Sequence, residues 1–332
     1  MTPKQIIFDS LARKKTPRCG VCNPVSSTTV DQMKIMGASF PEAHFDAGKM
    51  YELARANYEI LEYDGIMPVF SVVIESYAIG CKVDWGKPDT MPRIIGKLWK
   101  DYSDIEIPDF MSNHAARAVI DCIAKLKSNY PDVAIIGKVF GPWTLGYHFF
   151  GVEEFLIKTI MNPHEIHSIL NRLMEVTIKF ANAQVEAGAD VITVADHATR
   201  DLCSPESYRD FLIPVHSVLS GQINAPVMLH ICGDTSDRIE YICQTGLESF
   251  HFESKVDACR AVEIARKRIA LIGNINNTST LLFKKPSDVG KEVERAIKCG
   301  LDIIGPECAV PLITPLENLK EIALAVKRNM ET

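Results

Sequence analysis

Short runs rich in Val and Ile alternate along this chain with longer stretches whose apolar residues recur at helical spacing. That alternation constrains the fold more than any other feature. The runs are Arg18–Cys22, Ile66–Val73, Val133–Phe140, Val191–Ala195, Val227–Ile231, Ser249–Glu253, Ile269–Gly273 and Asp302–Ile304. Their length and β-branched content favour buried strands over helices. Helical patterns fill most of the gaps, at Pro163–Ala187, Tyr208–Ile223, Asp234–Thr245, Ala258–Lys267, Pro286–Lys298 and Leu316–Asn329. The first carries Asn162 as N-cap with a proline at its first helical position. Gly188, Gly246 and Gly300 stand between a helix and the next strand, where glycine relieves the cost of a left-handed backbone. Strict alternation implies a parallel sheet with helices outside. Eight strands fit a closed (β/α)8 TIM barrel, with an N-terminal helical extension and an insertion after the second strand. The insertion covers 75–115, where Gly80, Gly86, Pro88, Pro92 and Pro108 break the periodicity. With no linker and no low-complexity tract, residues 1–332 are expected to form one barrel domain.

Composition narrows the function classes. A net charge of -6 speaks against nucleic acid and anionic membrane surfaces as partners. No apolar run approaches the ~18 residues of a membrane span. The N-terminus lacks the apolar core of an export signal, so the expected location is the cytoplasm. In a reducing compartment, grouped cysteines point to metal or catalysis more than to bridges.

In a TIM barrel, functional groups sit at the C-terminal ends of the strands. The fifth strand ends His230-Ile231-Cys232, and positions two apart share a face of a strand. The sixth ends His251-Phe252-Glu253; with Phe250 and Phe252 packed outward, His251 and Glu253 point into the barrel. Cys308 follows the eighth. One imidazole, two thiols and one carboxylate at one mouth make a zinc-type set, with His230, Cys232, Cys308 and Glu253 as ligands. Glu253 is the easiest of the four to give up. It is expected to cap the metal at rest and to leave when a substrate ligand arrives.

With those residues in view, the chain resembles the uroporphyrinogen decarboxylase superfamily, and within it the methylcobamide:coenzyme M methyltransferases. The resemblance spans nearly the whole chain. It rests on Gly141-Pro142-Trp143-Thr144, Ser204-Pro205 with Tyr208 and Pro214, Ile272-Gly273-Asn274-Ile275 and Thr314-Pro315-Leu316-Glu317-Asn318. His230-x-Cys232 with Cys308 decides the branch. The resemblance implies Zn²⁺ on that set, with Glu253 as the exchangeable fourth ligand. It also implies a methylated corrinoid (methylcobamide) on a partner corrinoid protein as donor, and the thiol of coenzyme M as acceptor, in methylotrophic methanogenesis. The decarboxylases hold substrate carboxylates with an arginine-rich N-terminal stretch. Here that region reads Arg18-Cys19-Gly20-Val21-Cys22, with one cation, so decarboxylation is the lesser reading. The same residues also allow a different thiol or methyl donor, or a non-catalytic barrel that binds metal or sequesters a corrinoid.

Several residues have two readings each. Trp143, Tyr147 and His148 follow the third strand on an expected long loop, where they either line the mouth near the corrinoid or pack the loop. Asp196 ends the fourth strand, and either orients His230 or caps the following turn. Asn274 ends the seventh strand and is placed to meet the anionic head of a thiol. Cys19 and Cys22 are expected to face opposite sides of their strand. Cys243, Cys259 and Cys299 are expected to be packing residues.

Overall fold

The computed structural model describes residues 1–330. Eight parallel strands form one sheet curved into a nearly closed barrel. They are β1 (Gly20–Val21), β2 (Gly65–Ile66), β3 (Ala134–Phe140), β4 (Val191–Ala195), β5 (Val227–Ile231), β6 (Ser249–Phe252), β7 (Ala270–Ile275) and β8 (Ile303–Pro306). Neighbours in sequence are neighbours in the sheet from β2 to β8, and β8 pairs with β1. Every residue of β3 to β8 is buried. That is why these strands read as continuous apolar runs rather than as alternating ones. The TIM barrel expected from the alternation is the fold observed.

The register sets which side chains share the interior. Phe140 pairs with Ala195, Ala195 with His230, His230 with His251, and His251 with Ile272. Partners in register point to the same side of a sheet. The ring of His251 lies inside the barrel, since its Nε2 is 2.8 Å from the Pro306 carbonyl, two strands away.

β1 and β2 are the exception to the ladder. They are two residues long each, and between them no strand pairing forms. Asp64 links this seam: its N–H donates to the Val21 carbonyl at 2.7 Å. Its carboxylate accepts the Val21 N–H at 2.9 Å and both Arg18 guanidinium nitrogens, at 2.6 and 2.7 Å. The N-terminal helix Pro3–Leu11, capped by Thr2, packs against β1, β2, β3 and β8 and so covers the same end.

The expected strand Ile66–Val73 stops at Ile66, because Pro68 has no N–H to give to a ladder. The following residues turn into a helix, Ile74–Ile79, and the 75–115 insertion adds a hairpin of Lys82–Asp84 with Arg93–Ile95. Helices Pro163–Glu186, Ala258–Ala265, Pro286–Cys299 and Leu316–Arg328 match their expected positions within a few residues. Tyr208–Ile223 is broken. A wide turn at Tyr208–Leu212 precedes the helix Ile213–Gln222, and Pro214 there cannot donate to the carbonyl four residues back. Asp234–Thr245 shrinks to Ile239–Ile242. The segment before it is pinned by the buried Arg238, which donates at 2.7 Å to the carbonyls of Ala198 and Cys203. Cys259 and Cys299, expected only to pack, are joined as a disulfide between two adjacent helices, with Cα atoms 4.6 Å apart. Among the described residues, no helix is long and apolar enough to cross a membrane.

Candidate functional site

His230 and Cys232 leave β5 on its inward face, while Ile231 between them is buried in the opposite direction. Cys308 arrives from the end of β8, and the loop that carries it is tied on two sides. The Asn23 side-chain amide donates to the Cys308 carbonyl at 3.0 Å. The preceding Glu307 accepts the backbone N–H of Asn277 at 2.7 Å and of Ser254 at 2.8 Å. The three side chains meet. His230 Nε2 is 3.0 Å from Cys232 Sγ and 3.4 Å from Cys308 Sγ, and the two sulfurs are 3.2 Å apart. Among the described residues these form the one group of three or more His, Cys, Asp or Glu donor atoms lying within 4.8 Å of each other.

The electrostatics suit a cation. Burial holds the His230 imidazole well below its usual pKa, with His251 and Lys138 adding to the effect, so the ring is neutral and offers a lone pair. Cys308 and burial together push the Cys232 thiol up. Two sulfurs 3.2 Å apart beside an imidazole lone pair converge on one point where a cation would sit. The donor set therefore fits a soft or borderline divalent metal such as zinc. The His230 ring is backed by His251, with centroids 4.6 Å apart, and its Nδ1 has no hydrogen-bond partner.

Glu253 follows β6, half-buried, with its carboxyl raised by burial and held down partly by the Gly233 N–H. Its charge acts on Cys232, yet its oxygens stand outside the three-donor group. Asp196 does not orient His230. One carboxylate oxygen accepts the N–H and hydroxyl of Thr144, at 2.7 and 3.1 Å, and so ties down the helix Pro142–Phe150. The other meets His216 Nε2 at 3.2 Å, and His216 Nδ1 meets the Tyr208 hydroxyl at 2.8 Å. Gly141 is required beside this carboxylate, since a Cβ there would fall 2.2 Å from Asp196 Cγ.

Trp143, Tyr147 and His148 lie on that helix, not on a loop. Trp143 is fully buried against Phe155 and donates its indole N–H to the Tyr147 hydroxyl, so these two pack rather than line the mouth. His148 does reach the mouth. It lines a cavity of about 210 Å³ together with Phe140, Thr144, His197, His230, Cys232 and Cys308. Its Nδ1 is 2.8 Å from the Ser76 hydroxyl, and burial lowers its pKa to about 4. Asn274 faces elsewhere. It donates to the Val256 carbonyl at 3.0 Å and lines a separate polar cavity of about 480 Å³ with Ser254 and Asn276. Cys19 and Cys22 do not meet: Cys19 lies 3.3 Å from the Leu301 carbonyl and Cys22 is buried.

Two ionisable groups in the interior escape a reading of the sequence alone. Lys138 on β3 is 1 % exposed and its Nζ has no hydrogen-bond partner among the described residues. Glu75, also buried, accepts the Phe140 N–H at 2.8 Å. A signal for Lys138 does exist: it is the one charged residue in the run Ala134-Ile135-Ile136-Gly137-Lys138-Val139-Phe140.

Comparison with known proteins extends the picture over the whole chain. The family model described as Uroporphyrinogen decarboxylase (URO-D) matches residues 2–329. A methylated-thiol–coenzyme M methyltransferase of Methanosarcina mazei is 31% identical over 331 residues, covering 98% of this chain and 89% of that protein. A methylcobamide:CoM methyltransferase of Methanosarcina barkeri is 31% identical over 329 residues, covering 98% and 97%. The solved structure of a methyltransferase from Methanosarcina mazei superposes with a TM-score of 0.96 at 29% identity, over 99% of each chain. The barrel, its mouth and these full-length likenesses lead to one statement: the chain belongs to the uroporphyrinogen decarboxylase (URO-D) family, and its likeness is to that family's coenzyme M methyltransferases.

Proposed function

We propose that this protein transfers a methyl group from a methylated corrinoid, carried by a partner protein, to the thiol of coenzyme M. The reading extends to zinc dependence and to a role in methylotrophic methanogenesis. The observation that carries it is the meeting of His230 Nε2, Cys232 Sγ and Cys308 Sγ within 3.4 Å in the lining of the cavity. Full-length relatives named for coenzyme M and methylcobamide support it.

His230, Cys232 and Cys308 would hold the metal and leave a fourth position free, with Glu253 beside it. Zinc bound there would lower the pKa of an incoming thiol and keep its sulfur nucleophilic. Glu253, half-buried after β6, would be the resting ligand of that position and would make way for the thiol. The substrate sulfur then attacks the methyl carbon. The S–C bond forms as the C–Co bond breaks, and the electron pair stays on cobalt. The cavity of about 210 Å³ holds a small thiol but not a corrin ring, so the donor meets the sulfur at the mouth. Arg18, where a decarboxylase would place substrate-binding cations, is committed to Asp64 before β1.

The test is loss of the Co–CH3 absorbance when zinc-loaded protein is mixed with methylcob(III)alamin and coenzyme M, against no-thiol and chelator-stripped controls. Demethylation that needs both thiol and zinc supports the reading. Folded, zinc-loaded protein that leaves the methyl group in place, with free and with protein-bound corrinoid, would sink it.

A further inference from the structure

Lys138 sits one layer beneath the sulfur-rich trio. It is in register with Thr193, and Thr193 with Met228, two residues before Phe140, Ala195 and His230 on the same inward face. Its ammonium is 5.7 Å from the centre of the Phe140 ring and meets no hydrogen-bond acceptor. Thr193 Oγ1 and Ser249 Oγ in the same layer are also without partners. A buried ammonium without a hydrogen-bond acceptor is expensive to keep even with the Glu75 carboxyl near enough to act on it, and an apolar residue of similar volume would stabilise the barrel. Something other than folding retains it. The cavity lined by His230, Cys232 and Cys308 does not reach Lys138, so the position is wrong for gripping the far end of a small thiol.

We propose that Lys138 is the fixed counter-charge of the metal centre, favouring the thiolate form of whichever thiol occupies its fourth position. This rests on the reading of His230, Cys232 and Cys308 as metal ligands. With two thiolates and a neutral imidazole, a divalent metal gives a neutral centre. An anionic fourth ligand takes it to a net charge of minus one in a buried site, and one ammonium nearby offsets that charge. Burial lowers the Lys138 pKa to about 8, with Glu75, Cys308 and Cys232 pulling it back up, so the cation persists near neutrality.

The test is thiol binding to zinc-loaded protein by calorimetry, with coenzyme M and with ethanethiol, which lacks an anionic head. In Lys138→Met, zinc stoichiometry should be unchanged and the metal-free protein should melt no lower than the parent. Both thiols should bind roughly tenfold more weakly, the effect of one charge on the order of 10 Å away at an effective dielectric of about 20. Lys138→Arg should recover most of the affinity. If both thiols keep parental affinity, the proposal is overturned. It is overturned equally if only coenzyme M weakens, which marks a head-group contact, or if the metal-free variant melts lower, which marks a structural role. Lys138→Gln replaces the Met variant if the latter gives no cooperative melt. Parental protein that binds zinc but neither thiol refutes the proposed function first, and the Lys138 role with it.

Discussion

Replacing Arg18 by Met is expected to weaken the barrel without touching the proposed metal site. At the seam between β1 and β2, Asp64 stands in for a strand ladder. It takes two guanidinium hydrogen bonds of 2.6 and 2.7 Å and one from the Val21 N–H. The side chains of Arg18 and Asp64 are 12% and 3% exposed, so water cannot replace what is lost. Removing one partner of a buried pair costs roughly 3–5 kcal/mol, because the other charge stays behind uncompensated. For a chain of this size each kcal/mol shifts Tm by roughly 2 °C, which puts the fall at about 6–10 °C. The assay is scanning calorimetry of metal-free protein, paired with zinc stoichiometry and the demethylation rate at 25 °C. Zinc binding should be unaffected, since Arg18 precedes β1 while the sulfurs follow the far ends of β5 and β8. Replacing Asp64 by Leu in the same variant should recover much of the loss. A Tm within about 2 °C of the parent, together with lost activity, would refute the reasoning and return Arg18 to substrate binding.

Cys308→Ala should abolish zinc binding, read by metal analysis after dialysis, while the Tm of the metal-free protein moves by less than about 2 °C because the side chain is only partly buried. Retained zinc would remove Cys308 from the ligand set. His216→Leu strands the Tyr208 hydroxyl and one oxygen of Asp196 in a buried site, for a loss of about 2–4 kcal/mol in urea unfolding; an unchanged midpoint would refute that. Burial raises Glu75 from 4.5 to about 7, so the folded protein keeps a proton that the unfolded chain has released. The stability linked to it is full below the unfolded pKa and is lost as pH rises through about 7. Glu75→Gln should therefore flatten the pH dependence and be relatively more stable by on the order of 2 kcal/mol at about pH 8. Parallel curves for the two proteins across that range would remove Glu75 as the cause.

Much of the barrel is legible in the sequence because buried parallel strands are written as apolar runs, and β3 to β8 are buried throughout. β1 and β2 are harder. They have two residues each, and their stability comes from Asp64 and the N-terminal helix rather than from a pattern along the chain. The trio is legible because alternation on a strand puts His230 and Cys232 on one face, and because Cys308 follows another strand end. His251 likewise points inward as the Phe250 and Phe252 pattern requires. Periodicity cannot name the partner of a side chain. Adjacency of strands matches Asp196 with His230, while its carboxylate is taken by Thr144 and His216. A strand end places Asn274 at the mouth, but its amide turns to Val256. Trp143, Tyr147 and His148 follow directly on a strand, which is read as a loop, whereas Pro142 is equally at home at the first position of a helix. The disulfide pairs two cysteines 40 residues apart, a proximity no local pattern records.

The seam gives the two lips of the mouth unequal stiffness. On one side, His230, Cys232 and Cys308 grow from a continuous ladder running from β3 through β8 to β1. At the seam itself, Val25 and Val72 follow β1 and β2 and line the same cavity, yet no ladder joins those two strands. Moving the sulfurs apart means breaking sheet hydrogen bonds, whereas widening the Val25–Val72 side breaks few. Under the proposed function, changes in the size of the acceptor thiol are therefore most cheaply accommodated on the valine lip, leaving the wall of His230, Cys232 and Cys308 untouched. Selection for a bulkier thiol should collect its first substitutions there.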